Sequence, residues 1–299
     1  MNVKSFHKGG FIFQNGETLA ISMDDFILQV NERVCFFLYL PMLYSKKLEN
    51  ANSKEWVVFI HGAGGSSSIW HKQIKTFSEK YNLLLIDLRG HGKSQIETKK
   101  KRYSFKLIAQ DVIEVLHAQQ IEHAHFVGVS LGSIVIKQIE LLEPTLVKSM
   151  IFAGAITRLN FKSRFLLKIG RILNRFIPQM GLYQLFARIM MPKKNHASSR
   201  ELFITEARKI VHKEFNRWFK LTSRLALYLV ELEKQTDKTP TLFIMGAEDH
   251  LFLAPVKELV AQNPRLNLSI VPNCGHVVNF EQADTFNHLS LKFIDKVSA

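Results

Sequence analysis

His125-Phe126-Val127-Gly128-Val129-Ser130-Leu131-Gly132-Ser133-Ile134-Val135-Ile136 is the stretch that decides how this chain is read. An apolar run (Phe126, Val127, Val129) ends at Gly128-Val129-Ser130-Leu131-Gly132. Ile134, Val135, Lys137, Gln138, Ile139, Leu141 and Leu142 then follow a helical pattern that Pro144 closes. Strand, sharp turn and helix are the context that a G-x-S-x-G nucleophile elbow requires. A serine on a strained turn presents its hydroxyl, and hydrogen side chains two residues to either side let strand and helix pass closely. The motif by itself decides little, because composition alone produces one in about one chain in ten of this length.

The flanking sequence supplies the context. Trp56-Val57-Val58-Phe59-Ile60 and Leu83-Leu84-Leu85-Ile86 are continuous apolar runs suited to strands buried on both faces. The first leads into His61-Gly62-Ala63-Gly64-Gly65-Ser66-Ser67-Ser68 and a helix around Trp70 to Glu79. The second ends in Asp87-Leu88-Arg89-Gly90-His91-Gly92-Lys93-Ser94. After a basic linker, Lys99 to Arg102, Ser104 is expected to cap a helix whose inner face carries Leu107, Ile108, Val112, Val115 and Leu116. Upstream, residues 11 to 40 read as short strands in antiparallel hairpins at one sheet edge, followed by a polar loop, Ser45 to Lys54. Downstream, Val147 to Phe152, Thr241 to Met245 and Leu266 to Val271 read as strands, with helices at Pro255 to Gln262 and Glu281 to Val297. This alternation predicts βαβ units and a mostly parallel sheet.

From about Ala155 to Asp237 the buried-strand pattern is missing. Helical stretches at Phe161 to Phe176, Met180 to Met191 and Ser199 to Glu233, broken at Pro178 and Pro192, replace it. The expected organisation is an α/β core formed by 1–154 and 238–299, with an inserted all-helical lid at 155–237. Arg158 to Lys238 holds eighteen Lys/Arg against six Asp/Glu, and the rest of the chain twenty-two against twenty. Nearly all of the formal charge of +14 therefore belongs to the lid. Its first helix is expected to place Phe161, Phe165, Ile169, Ile172, Leu173 and Phe176 on one face, with Lys162, Arg164, Lys168, Arg171 and Arg175 largely elsewhere. Phe161, Phe165, Phe176, Phe186, Phe203, Phe215, Trp218 and Phe219 are more than a single helix buries. Some are expected to pack on the sheet domain and some to line an apolar pocket above Ser130. Beside plain solubility, the positive surplus has two functional readings. It draws an anionic substrate toward the cleft, or it holds the lid in weak contact with an anionic membrane surface.

A serine hydroxyl needs a base to act as nucleophile, and the base needs an orienting carboxylate. In a doubly wound sheet all three lie just after the C-terminal ends of strands. Gly246-Ala247-Glu248-Asp249-His250 and Pro272-Asn273-Cys274-Gly275-His276 occupy such positions, giving the order serine, acid, histidine. With His61 to Gly64, Asp87 to Ser94 and Gly128 to Gly132, these motifs make the chain resemble the α/β-hydrolases over nearly its whole length outside the lid. The resemblance implies a mostly parallel, eight-stranded, doubly wound sheet. It implies Ser130 as nucleophile, His276 as base and Asp249 as the acid that holds the imidazole, with Glu248 the rival for that place. Backbone N–H groups of Leu131 and Ala63 would form the oxyanion hole, Gly64 replacing Ala63 if the loop is shifted by one. No cofactor is implied. The activity implied is a serine hydrolase cleaving a carboxylic ester or related acyl bond through an acyl-enzyme. Carbon–carbon bond hydrolysis on the same triad, and a non-catalytic small-molecule receptor or regulatory protein of this fold, are the rival readings. Serine at the elbow sets the chain apart from the epoxide hydrolases and dehalogenases, which use aspartate there. Ser133 stands where many relatives carry Gly or Ala.

The remaining candidates have quieter readings. Asp87 and Arg89 look like turn-stabilising residues, Cys274 a small packing residue, and His61, Trp70 and His91 residues that line or brace the site. His123 and His125 have no Cys or carboxylate partner at ligand spacing, so no metal is implied. Gly62 to Gly65 lacks the Lys-Ser/Thr ending of a phosphate loop, and no nucleic-acid-binding module is present. A hydrophobic content of 46% with 23 Phe argues for a packed core. Two cysteines, Cys35 and Cys274, make no disulfide framework, the start of the chain has no apolar h-region, and Val34 to Leu40 is too short to span a bilayer. A cytoplasmic protein is expected, acting on a small apolar or amphiphilic acyl substrate, neutral or anionic.

Overall fold

Apolar runs too short for helices and free of polar alternation bury both faces only inside a sheet covered on two sides. In the computed structural model they do so. The structure describes the backbone of 11–14, 17–20, 26–30 and 33–37, and residues 43–94, 102–222, 224–233 and 239–298. The chain divides into two compact units, Met1–Pro41 and Met42–Ala299. In the first, β1 (Phe11–Gln14) pairs antiparallel with β2 (Glu17–Ala20), and β3 (Phe26–Val30) with β4 (Arg33–Phe37). Each pair is a two-stranded sheet of its own.

The second unit contains β5 (Ser45–Leu48), β6 (Trp56–Ile60), β7 (Asn82–Ile86), β8 (Ala124–Val129), β9 (Val147–Ala153), β10 (Thr241–Gly246) and β11 (Leu266–Val271). They form one sheet in the order β11-β10-β9-β8-β6-β7-β5, parallel throughout except for β5 against β7. Two expectations are corrected here. Among the described residues this sheet has seven strands rather than eight, because β1 to β4 pair with one another as hairpins. Its antiparallel edge is Ser45–Leu48, part of the stretch read as a polar loop. Lys46 and Lys47 are exposed there, and lysine on an edge strand discourages pairing with another chain.

Alternate residues of the strands feed two cores. Val58, Ile60, Phe126, Met150 and Phe243 face one side, packed by α2 (Phe105–Ala118), α3 (Leu131–Leu142) and α9 (Leu253–Gln262). Val57, Phe59, Val127, Ile151 and Ile244 face the other, packed by α1 (His71–Ser78) and α11 (Ala283–Ser298). A four-residue turn of helix, α10 (Val278–Glu281), precedes α11. Ser104 caps α2, its hydroxyl accepting from the Leu107 N–H.

Between β9 and β10 the chain forms α4 (Phe161–Leu173), α5 (Gln179–Met190), α6 (Ala197–Ala207), α7 (His212–Thr222) and α8 (Leu225–Glu233). The long stretch expected from Ser199 to Glu233 is thus three helices. Leu182, Ile210 and Phe215 make a small core within this insertion, while Trp218, Leu225 and Leu229 join the core beside α2 and α3. Most of the basic linker, Lys99 to Lys101, and the expected end of the insertion at Asp237 lie outside the described residues.

Candidate active site

The elbow is built from the close approach that its glycines permit. Ser130 sits between β8 and α3 with φ 53° and ψ −118°, a left-handed conformation that is costly for a non-glycine residue. A Cβ at Gly128 would lie 2.5 Å from Ile136 Cδ1, and one at Gly132 would overlap the Ile60 carbonyl oxygen. A larger residue at Gly132 would push α3 away from the sheet backbone, and one at Gly128 would have to shift Ile136 and press on the Gly132 backbone at 3.0 Å. The Ser133 hydroxyl donates to the Ser130 carbonyl at 2.6 Å and ties the first turn of α3 to the elbow.

Ser130, His276 and Asp249 come from three separate strand ends and form one hydrogen-bonded chain. Ser130 Oγ and His276 Nε2 are 2.9 Å apart, and His276 Nδ1 is 2.8 Å from Asp249 Oδ2. A carboxylate only accepts, so Nδ1 carries the proton and Nε2 accepts from the serine hydroxyl. The other carboxylate oxygen, Oδ1, accepts from the N–H groups of Leu251 at 3.3 Å and Phe252 at 3.1 Å. Both Asp249 and His276 are buried, and the Phe252 ring packs on the imidazole with centroids 5.2 Å apart.

Glu248 points elsewhere. Its carboxylate accepts from Lys193, Asn195 and the ring of His196, and these contacts, the Asn195 amide first and then the Lys193 ammonium, hold its pKa down to about 2. His196 is fully buried and lies against Gly275. Glu281 accepts from the Gly275 N–H at 2.6 Å and from Ser199 Oγ at 2.6 Å. This network ties the insertion to the loop that carries His276. Its members lie far apart in sequence and no local pattern marks them.

Ala63 and Leu131 both border the same cavity as Ser130. Leu131 opens α3, so its N–H is among the first-turn donors that the helix leaves unused. The Gly64 N–H is engaged, donating to His91 Nε2 at 3.0 Å, whereas the Ala63 N–H has no protein acceptor among the described residues. His91 Nδ1 lies 3.2 Å from the Arg89 carbonyl. Burial, together with the neighbouring His61, lowers the His91 pKa to about 3, so the ring is neutral. His61, also held neutral by burial, accepts from the Leu88 N–H at 2.9 Å. Both histidines brace the loop after β6. Trp70 is core, packed on Phe59 and Phe286.

Asp87 accepts from the Ser67 and Lys93 N–H groups, and Arg89 pairs with Asp111, so both residues hold turns. Burial pushes the Cys274 thiol up, away from thiolate. His125 lies 2.8 Å from Ser149 Oγ inside the sheet.

The cavity above Ser130 has a volume of about 170 Å³ and no charged side chain in its wall. Phe186, Phe203, Phe215 and Phe219 of the insertion line it, as do Leu166 and Leu167 of α4. A second space of about 30 Å³ lies on the His276 side of Ser130 and Ala63. Sequence reasoning missed Tyr183. Its ring packs on Phe203 and Phe215, and a Cβ at Gly64 would overlap its hydroxyl. That hydroxyl has no protein hydrogen-bond partner among the described residues, and burial raises its pKa, keeping it a neutral donor.

A doubly wound sheet that presents serine, carboxylate and histidine in this chain order defines an α/β hydrolase. The chain belongs to the alpha/beta hydrolase family, which it matches over residues 57–289. Among its relatives is a protein of Stutzerimonas stutzeri described as "Putative carbamate hydrolase RutD", 27% identical over 240 residues that span 79% of this chain and 89% of that one. The enol-lactonase of Burkholderia xenovorans LB400 has a similar structure, with a TM-score of 0.72 and 19% identity over 85% of this chain and 96% of that one. The meta-cleavage product hydrolase CumD of Pseudomonas fluorescens IP01 superposes with a TM-score of 0.69 and 21% identity, over 86% and 97%. At these identities the two structures share the fold with this chain.

Proposed function

We propose that the chain is a serine hydrolase that cleaves an ester or related acyl bond through an acyl-enzyme, with residues 155–237 acting as a lid over the site. The observation that carries this reading is the hydrogen-bonded chain from Ser130 through His276 to Asp249, opening onto an apolar cavity. Ser130 Oγ attacks the carbonyl carbon as its proton passes to His276 Nε2. Negative charge on the carbonyl oxygen is met by the N–H groups of Ala63 and Leu131, a contribution of about 3 kcal/mol per donor in such sites. The tetrahedral adduct collapses, His276 protonates the leaving group, and water deacylates Ser130 by the reverse proton path. Tyr183, a polar group of the insertion set against Gly64 with its hydroxyl free of protein partners among the described residues, hydrogen-bonds a substrate oxygen beside the scissile bond.

The cavity dimensions support a division of the substrate. About 170 Å³ of apolar space, close to the ~150 Å³ of engineered cavities that accept benzene, suits a short aliphatic or single-ring acyl group. The space of about 30 Å³ beside His276 suits a water or a small leaving group. A wall without cations favours a neutral acyl part over an anionic one, and so favours ester over the charged substrates that steering would draw in. A carbamate of the kind named for the relatives is also an acyl substrate, but a small one would leave most of the apolar wall unused.

A fluorophosphonate probe and a panel of p-nitrophenyl esters of increasing acyl length, with a carbamate included, test the assignment. The expected result is labelling of Ser130, lost in Ser130→Ala, and kcat/KM rising with acyl length until the cavity is filled. Labelling without turnover of any acyl substrate would replace the enzyme by a receptor.

A further inference from the structure

α4 has two apolar faces, and the structure uses only one of them. Ser163, Leu166 and Leu167 turn inward to wall the cavity, and Gly170 packs against Phe186. On the opposite side Phe161, Phe165, Ile172 and, just past the helix, Phe176 are 84%, 56%, 54% and 78% exposed. The Phe161 and Phe165 rings stack in solvent with centroids 6.3 Å apart. Of ten exposed large apolar side chains among the described residues, eight lie in the insertion, and these four share one face. Exposed Lys162, Arg164, Lys168, Arg171 and Arg175 lie on or beside that face, and no Asp or Glu occurs between Asn160 and Ile177.

We propose that this outer face of α4 docks on an anionic phospholipid surface. Aromatic and branched aliphatic side chains along one stripe, with cations on it and at its flanks, are the pattern of a helix lying in a bilayer interface. The charge selects the occupant. A second copy of the chain would bring ten cations together across the contact, whereas anionic headgroups meet the same cations with attraction worth about fivefold in affinity per charge. No helix among the described residues is long and apolar enough to cross a membrane, so the contact is peripheral. Because the inner side of the same helix walls the cavity, docking sets the cavity roof against the lipid. The inference rests on α4 alone and is independent of the reaction assigned to Ser130.

Co-sedimentation of the full chain with phosphatidylglycerol-containing and pure phosphatidylcholine vesicles, across a salt series, tests it. Binding is expected to the former, weakening with salt, and to be at least tenfold poorer to the latter. Lys162→Gln/Lys168→Gln/Arg175→Gln should lower binding on the order of a hundredfold. Phe161→Ser/Phe165→Ser/Phe176→Ser should abolish it, with far-UV circular dichroism and the urea midpoint unchanged in both variants. Equal, negligible sedimentation with both vesicle types overturns the proposal, as does binding that survives both sets of substitutions. A concentration-dependent dimer of the parent chain that the phenylalanine variant loses would assign the face to a second copy instead.

Discussion

The sheet and the helical insertion place their phenylalanines in opposite ways. Phe59, Phe77, Phe126, Phe152 and Phe286 are fully buried around the sheet. Within the insertion, Phe186, Phe203, Phe215 and Phe219 surround a cavity, while Phe161, Phe165 and Phe176 stand in solvent. A two-faced sheet has a use for each apolar side chain along a strand. A layer of short helices laid over a cleft has one inner side, and its remaining apolar residues serve a cavity or a surface. The sheet region therefore keeps its phenylalanines as core, and the insertion divides its own between a cavity wall and an exposed face.

The sharpest break in this contrast concerns two neighbours in the loop after β10, Asp249, which faces His276, and Glu248, whose carboxylate is held by Lys193, Asn195 and His196 of the insertion. Asp249→Asn should lower kcat by roughly 10⁴-fold by leaving the wrong imidazole tautomer, while Glu248→Gln keeps a rate within a few-fold of the parent. Steady-state kinetics on one ester decides it, and the reverse ranking would move the acid to Glu248. Next in size is packing. Phe286→Ala should cost about 3–5 kcal/mol in urea denaturation, and Phe165→Ala less than about 0.5 kcal/mol. Comparable losses would mean that α4 is covered in the free protein.

Tyr183→Phe sharpens the comparison from the insertion side. Removal of a hydroxyl that has no protein partner should leave the urea midpoint unchanged and lower kcat/KM about tenfold, the loss of one substrate hydrogen bond. A fall in stability with unchanged kinetics would make the residue structural. A further test is in pH. His91 is neutral in the fold with its pKa near 3, but takes up a proton below about 6.5 once unfolded. Its contribution to stability is present above pH 6.5 and is lost as pH falls toward 3, at up to about 1.4 kcal/mol per pH unit. His61, also depressed by burial, acts in the same direction. Urea midpoints between pH 7 and pH 4 should fall, with a shallower slope in His91→Gln.

Much of this molecule was legible without coordinates, and the reason differs from element to element. The apolar runs at β6, β7, β8, β9 and β10 announce burial directly, and the elbow announces itself because only glycine at 128 and 132 lets α3 approach the sheet. Ser45–Leu48 was hidden because a short edge strand carrying two exposed lysines has the composition of a loop. The breaks between α6, α7 and α8 were hidden because apolar spacing continued across them.

The amino-acid sequence by itself determined the strand and helix alternation, the strained serine, the order of serine, acid and histidine, and the concentration of positive charge in one insertion. Those properties follow from sterics and burial acting within a few residues of one another. The tertiary structure decided between partners that are distant along the chain. His91 takes the Gly64 N–H and leaves that of Ala63 without a protein acceptor. Lys193, Asn195 and His196 draw Glu248 away and leave Asp249 to His276. Tyr183 reaches Gly64, in the loop after β6, from the insertion. The two faces of α4 have similar apolar character in sequence, and only the position of the cavity made one an inner wall and the other a surface. A hydrogen bond or a buried face is fixed by what stands a few ångströms away, and for these groups that neighbour is dozens of residues distant in the chain.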